Sequence, residues 1–450
     1  MITADIIRQT GYGELINFYS TATNVVIDSR RVSDNSIFVA LPGEKTDGHR
    51  FIRQALSSGA VLCVVSIEWT RHNPHQHLPL WITESPETAL QKLAQVWRNQ
   101  FQIPMLAITG TNGKTTTRAM CAAILAKKFN LHTTAGNLNN QLGVPLSLLT
   151  LTADHTFSLL EFGTNHFGEI ALLCQLAKPN AGLITNIGYG HTEFFGSKAG
   201  VARAKRELFD ALKTDDTGFI NLNDEYIRGM NPRCHQVTYG METEHADYTG
   251  KIIRFDENGC ATLNINGDIR IELKTPGKVM AQNALAAAAV GLYFDVRPDD
   301  IITGLASFTP VQQRFNMIRT PHCRIINDAY NANPDSTRAA IDTFVSMRLP
   351  GRRILVFGDM FELGSLSNPC HRDIGQLIAE SPIDRVYLYG MLTEITHAAI
   401  QAAGGPPSRH FSTKDNLLEA LQKEIKSDDT VLVKGSRGNQ LEDIIEGLMS

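Results

Sequence analysis

Nothing in this 450-residue chain is set aside for cross-linking, membrane insertion or nucleic-acid binding. No C-x-x-C pair occurs, and the seven cysteines, at positions 63, 121, 174, 234, 260, 323 and 370, are an odd number. That scatter excludes a disulfide framework and a zinc knuckle and fits free thiols in a reducing compartment. Charge of one sign is also missing. With 42 Lys and Arg against 46 Asp and Glu the net charge is −4, and no long basic stretch offers a groove for nucleic acid. The longest apolar run, Leu285–Phe294, falls well short of the roughly 20 residues that span a bilayer. The opening MITADIIRQT carries Asp5 and no apolar signal-peptide core. Internal repeats and low-complexity segments are absent as well. These absences lead us to expect a cytoplasmic monomer without a membrane span, whose partners are small molecules.

What the chain does contain is an ordinary globular mixture, 43% hydrophobic and 20% charged. At roughly 100 to 200 residues per domain its length predicts two to four domains. Residues 1–103 mix short strand patterns (VVID, IFVAL, VLCVV, LWIT) with helical ones, and RHNPHQHL at 71–78 reads as a polar loop. From 104 to 320 apolar runs (MLAI, FSLLEF, AGLITNI, GFINL) alternate with helix-length segments, which predicts β-α-β units and a mainly parallel sheet. Between about 234 and 275 the pattern becomes strands with tight turns, Asn266-Gly267 being a hairpin signal, so a small antiparallel flap is expected to lean on that sheet. From 321 to 450 RRILVFGD, RVYLYG and TVLVKGS predict a Rossmann-like, doubly wound third domain, without the G-x-G-x-x-G of a dinucleotide site. The fold class is therefore α/β, in three domains.

One stretch carries chemistry. AITGTNGKTTT, 107–117, resembles a phosphate loop, but a P-loop glycine belongs at 108, where the chain has Ile108, and Gly110 appears instead. Its context supports phosphate binding: an apolar strand precedes it and a helix follows, which directs free N–H groups and a helix dipole at an anion. Gly110 and Gly113 let backbone approach phosphate, Lys114 can reach the outer phosphates, and Thr115 offers a hydroxyl to magnesium. Thr111, Asn112 and Thr116 complete the expected ATP cradle.

The spacing T-G-T-N-G-K-T-T resembles the loop of the ATP-dependent Mur ligases and the related folylpolyglutamate synthases. Segments over nearly the whole length resemble Mur ligases too: DSRRV with IFVALPGEKTDGHRFI, GNLNNQLGVPLSLL, LEFGTNHFGEI, NIGYGHTEFFGSKAGVARAKRELF, NDAYNANPDS, GDMFELG and VLVKGSRG. NDAYNANP and GDMFELG favour the branch of the family that adds a dipeptide. The resemblance implies a bacterial cytoplasmic enzyme that joins D-Ala-D-Ala to UDP-MurNAc-tripeptide through an acyl phosphate, with ATP and Mg2+. It implies catalytic roles for Lys114, Glu161, His191 and Lys205, the last carrying a carbamate derived from CO2 and, with Thr115, Glu161 and His191, holding magnesium. Read by residue type alone, His191 is an ordinary histidine and Lys205 one more charge on a helix face.

Asn283, Arg314 and Asp328 match the family's contacts to adenine, outer phosphate and ribose. The segment around Asn283 departs from the usual G-x-H-N-x-x-N-A, since Val279 and Met280 replace histidine and asparagine. For the nucleotide-sugar tripeptide the resemblance points to Ser29, Arg30, Thr46, Asp47 and His49, with Asn137, Asn139 and Asn140 reaching from the central domain. For the dipeptide it points to Tyr330, Asn331, Asn333, Asp359, Glu362 and Leu363. Sites divided among three domains imply closure about a hinge, expected near Thr320-Pro321. Two alternatives remain at this level: a ligase that adds a single amino acid or a folylpolyglutamate synthase-like one, and a P-loop regulatory ATPase or switch.

Overall fold

The computed structural model describes residues 1–43, 46–310 and 313–449. Three sheets follow one another along the chain. The first, of five strands, contains the four expected runs as Asn24–Val26, Ser36–Val39, Ala60–Ser66 and Leu80–Thr83, with Glu14–Ile16 antiparallel at one edge. Ala60–Ser66 buries five of its seven residues, among them the run Leu62–Val65, as a strand covered on both faces does.

The central sheet has nine strands. Met105–Thr109, wholly buried, lies between the parallel strands Phe157–Glu161 and Ala181–Ile184. Register pairs Ile108 with Glu161 and Thr109 with Ile184, so three strands end side by side at their carboxyl ends. That is where open α/β sheets place ligands. The expected flap does not lean on this sheet; it extends it. Tyr248–Phe255 pairs in parallel with His235–Met241, and Cys260–Ile265 and Ile269–Pro276 continue the sheet antiparallel to its edge. The turn sits where expected, with Asn266 at φ 51° and Gly267 at φ 91°, the left-handed pair that a tight hairpin demands.

The third sheet has five parallel strands, Arg324–Asp328, Thr430–Lys434, Arg353–Gly358, Arg385–Tyr389 and Ser408–Phe411, with Asn316–Arg319 antiparallel at one edge. That edge strand corrects the expected boundary at 320/321. Asn316–Arg319 pairs with Arg324–Asp328 around a turn closed by Thr320 N–H to Cys323 O at 3.0 Å, so Thr320-Pro321 lies inside the third sheet and cannot be an interdomain hinge. The junction is upstream of Asn316.

Helix Pro86–Arg98 joins the first two domains. Ser85 caps it, Pro86 opens it, and Ala89, Leu90, Leu93, Ala94 and Trp97 form a buried stripe at helical spacing. The stripe belongs to one apolar core that includes Ile37, Leu62 and Trp81 of the first domain and Val144, Leu148 and Leu173 of the second. The third domain keeps cores of its own. It meets the central domain near the phosphate loop and again at a hairpin, where Arg348 N–H donates to Glu257 O at 3.1 Å and Met347 packs over Gly259. Among the described residues no helix is long and apolar enough to cross a membrane, and all seven cysteines are free.

Candidate functional site

Between Met105–Thr109 and the helix Lys114–Leu125 the loop turns on two glycines. Gly110 has φ 143°, and a Cβ there would lie 1.9 Å from Thr185 Oγ1; Gly113 has φ 78° and touches Asn283. The loop is clasped from the next strand's end: Thr185 Oγ1 and Asn186 Nδ2 donate to Asn112 O at 2.7 and 2.9 Å, while Asn112 N–H donates to Asn186 Oδ1 at 3.0 Å. Lys114 folds back over it, Nζ donating to the carbonyls of Gly110 (2.8 Å) and Thr111 (3.1 Å). Burial pulls this amine down to about 8, with Glu161 opposing the shift and the Arg314 charge adding to it.

Glu161 is held from three sides. Oε1 accepts from Thr115 Oγ1 at 3.2 Å and Asn139 Nδ2 at 2.9 Å, and Oε2 from Arg118 Nε at 3.2 Å. From the third domain, Arg314 reaches Thr115 Oγ1 at 3.3 Å and lies over the Tyr330 ring at 4.2 Å, between Gln313 and Phe315, both with left-handed backbone. Asp328 accepts from Lys434 Nζ at 2.6 Å and from Phe315 N–H at 3.1 Å. Asn333, which caps helix Pro334–Ser346, exchanges amide hydrogen bonds with Asn112 at 2.8 and 3.4 Å. His191 Nδ1 lies 2.6 Å from Glu362 Oε2, a close contact without hydrogen-bond alignment, with φ 59° and 60° at the two residues. The histidine holds the Glu362 carboxyl below its usual range.

A cleft of about 900 Å³ runs between the second and third domains. It gathers most of the expected residues: Thr111, Asn112, Gly113, Lys114, Thr115, Thr116, Asn139, Asn140, Glu161, His191, Asn283, Arg314, Asp328, Tyr330, Asn331, Asn333 and Glu362 all line it. Val279 and Met280, the departures from the family pattern, line it too.

Other expected residues lie off this wall. Asp359 is buried and accepts from the N–H groups of Leu392 (3.0 Å) and Thr393 (2.9 Å), which makes it a brace between strand ends. Leu363 is buried and offers its carbonyl to Thr192 at 3.4 Å. In the first domain His49 is buried, its Nδ1 2.7 Å from Asp47 and its Nε2 accepting from Ser66 N–H. Asp28 grips Arg30 through both oxygens, at 2.9 and 2.8 Å, which lowers its carboxyl to about 2. Ser29 shares the short turn Ser29–Arg31, and Thr46 and Asn137 are exposed.

Lys205 lies on helix Lys198–Asp210, 2% exposed and without a hydrogen-bond partner among the described residues. Burial, reinforced by the Lys114 charge, holds its amine well below the usual lysine range against the pull of Glu169, Glu207 and Glu161. No group of three or more His, Cys, Asp and Glu side chains able to hold a metal occurs among the described residues. The paired hydroxyl and carboxylate of Thr115 and Glu161 do fit a hard cation that keeps most of its coordination for water and phosphate oxygens.

Sequence reasoning missed Arg118, Thr185, Asn186 and Lys434. Arg118 did leave a trace. Its four-residue spacing from Lys114 turns it toward the buried side of the same helix.

Known proteins fit this geometry. Residues 21–94 match the Mur ligase family catalytic domain, 108–291 the Mur ligase middle domain and 313–437 the Mur ligase glutamate ligase domain. The chain belongs to the Mur ligase family. Within that family it is similar to proteins of one name, UDP-N-acetylmuramoyl-tripeptide--D-alanyl-D-alanine ligase. That of Bacillus subtilis (strain 168) is 36% identical, over 94% of this chain and 93% of its own length; that of Escherichia coli (strain K12) is 36% identical, over 97% and 96%. Among solved structures, MurF from Acinetobacter baumannii superimposes with a TM-score of 0.88 at 29% identity, covering 100% of this chain and 98% of that one. MurF ligase from Thermotoga maritima in complex with ADP gives 0.82 at 26%, covering 95% and 97%.

Proposed function

We propose that this chain joins D-Ala-D-Ala to UDP-MurNAc-tripeptide with ATP, forming UDP-MurNAc-pentapeptide, ADP and phosphate in the bacterial cytoplasm as a monomer. The observation that carries this reading is the convergence of Lys114, Glu161 and Arg314 from two domains on one phosphate loop, in a chain alignable end to end with ligases of that name.

The chemistry needs a carboxylate brought against a triphosphate. A tripeptide carboxylate oxygen bonds the γ-phosphorus as the bond to ADP breaks; the dipeptide amine then bonds the acyl carbon, loses a proton and expels phosphate. Lys114 and Arg314 offset the charge of the migrating group, and the loop's N–H groups hold the phosphates. Asn283 and Asp328 are assigned to the nucleoside, and Tyr330, Asn331 and Asn333 to the dipeptide side. Thr115, Glu161, His191 and a modified Lys205 would hold magnesium, which when bound neutralises charge on phosphate oxygens. CO2 adds to the neutral form of an amine, the form that burial favours at Lys205: its nitrogen bonds carbon, a proton leaves, and a neutral amine becomes an anionic oxygen ligand. The third domain is assigned a rigid-body closure that excludes water from the acyl phosphate.

The test is phosphate release from ATP and magnesium with UDP-MurNAc-tripeptide and D-Ala-D-Ala together, singly, and with the dipeptide replaced by single amino acids. Turnover requiring both substrates, with the pentapeptide seen by mass spectrometry, is the expected result. Turnover with a single amino acid would move the chain to another branch, and turnover indifferent to both substrates would favour a regulatory ATPase.

A further inference from the structure

We propose that Arg118 is a positioning residue that locks Glu161 and the 134–140 loop into one unit, fixing the carboxylate for the cation that accompanies ATP. The inference rests on the ligase reading above. Arg118 is 9% exposed and lies behind the cleft wall, bonded to Glu161, through which it acts.

Its guanidinium spans three segments. Nε donates to Glu161 Oε2 at 3.2 Å, Nη1 to the Thr134 carbonyl and to Thr133 Oγ1 at 3.4 Å, and Nη2 to the Gly136 carbonyl at 3.5 Å. The loop it grips returns to the same carboxylate: Asn139 Nδ2 donates to Glu161 Oε1, and Gly163 N–H donates to Asn139 O at 2.7 Å. Thr134 Oγ1 also accepts from Glu161 N–H at 3.0 Å. Arg118, Glu161, Asn139 and the loop therefore form a closed ring. With Arg118 on Oε2, and Thr115 and Asn139 on Oε1, the carboxylate cannot rotate about its own axis.

A buried arginine could simply neutralise a buried acid, and then any cation of similar reach would serve. The fork argues otherwise. Only a planar group with several diverging N–H bonds reaches the strand end, the loop and the carboxylate together, whereas a lysine offers one point. Partners behind a ligating group commonly set metal affinity by roughly 10- to 100-fold.

The experiment compares wild type, Arg118→Lys, Arg118→Gln and Glu161→Gln by calorimetric titration with ADP, in magnesium and in EDTA, alongside thermal denaturation and the ligase assay. The expected result is that Arg118→Lys melts close to wild type, binds ADP as wild type in EDTA, and loses about tenfold of the tightening magnesium gives. Its half-saturating magnesium in the ligase assay rises correspondingly. Wild-type magnesium dependence in Arg118→Lys would overturn the proposal, and should Arg118→Gln fail to fold, the lysine variant decides alone. If Glu161→Gln keeps the magnesium effect, or wild type shows none, the assignment of Glu161 falls and this proposal with it. Loss confined to the arginine variants' melting temperature, with magnesium dependence intact, would leave Arg118 as a stabilising residue only and overturn it as well.

Discussion

The two interfaces that join the three domains are built from opposite materials. Between the first and second, helix Pro86–Arg98 sinks an apolar stripe into a shared core, and its polar ends tie down as well: Trp97 Nε1 donates to Leu151 O at 3.1 Å and Arg98 Nε to Ala177 O at 2.7 Å. Between the second and third, the contacts near the phosphate loop are amide pairs, a histidine beside a carboxylate, and single bonds from backbone N–H groups, Tyr189 N–H to the Asp335 carboxylate and Glu193 N–H to Glu362 O. Apolar burial is lost all at once when such surfaces part, whereas polar contacts exchange for water at little net cost. The first pair therefore shares one core, whereas the second is joined near the phosphate loop by contacts that water can replace.

The largest expected effect tests the fused side. Trp97→Ala removes a large buried ring from the shared core and should cost about 3–5 kcal/mol, melting the first two domains together; calorimetry resolving the first domain as an independent transition would break the comparison.

Acid should weaken the same side. His132 is buried beneath helix Gly143–Leu148, Nε2–H donating to Ser147 O at 2.8 Å, and burial pulls it down to about 4. An unfolded histidine takes its proton near 6.5, so between these values the unfolded chain binds more protons. The stabilisation is complete above that range and is lost as pH falls through it, by up to about 3 kcal/mol. Urea unfolding at pH 7 and 4.5 should show a smaller loss in His132→Asn than in wild type; equal losses would remove His132 as the cause.

At the separable side, Asn112→Ala should change stability by less than about 1 kcal/mol, yet lower ligase turnover about tenfold, because it unties the phosphate loop from the third domain. Unchanged turnover would mean that the amide pair is incidental to catalysis. The smallest effect is dynamic. Hydrogen exchange at Tyr189 and Glu193 N–H should run faster than within Pro86–Arg98 and should slow when an ATP analogue and the tripeptide substrate are added. Uniform protection across both interfaces would sink the distinction.

Features set by local spacing were readable in the sequence. The loop between Gly110 and Gly113, the strands flanking it and the Asn266-Gly267 turn follow from residues a few positions apart. Glu161 at a strand end followed from the β-α-β pattern, since parallel register puts neighbouring ends together. Features set by pairing between distant segments were not readable. The hairpin region joins the main sheet through bonds between neighbouring edges that no turn signal encodes. Thr320-Pro321 looks like a linker until Asn316–Arg319 is seen paired across it. Asn186 and Arg118 act on partners tens of residues away, and His49, in a polar turn, is buried against Asp47 and Ser66. The burial of Lys205 within reach of the Lys114 charge is likewise a tertiary fact; only the resemblance singled it out.

The hairpin contact has a mechanical consequence. The third domain touches the second near the phosphate loop, through Asn333 and Glu362, and again where Arg348 and Met347 meet Glu257 and Gly259. Thr343 packs on Gly277 as well, so the third domain rests on a line of contacts rather than on two points. Because the hairpin turn and the phosphate loop belong to one sheet, these contacts are mounted on one plate, which ties both ends of the cleft to a common reference.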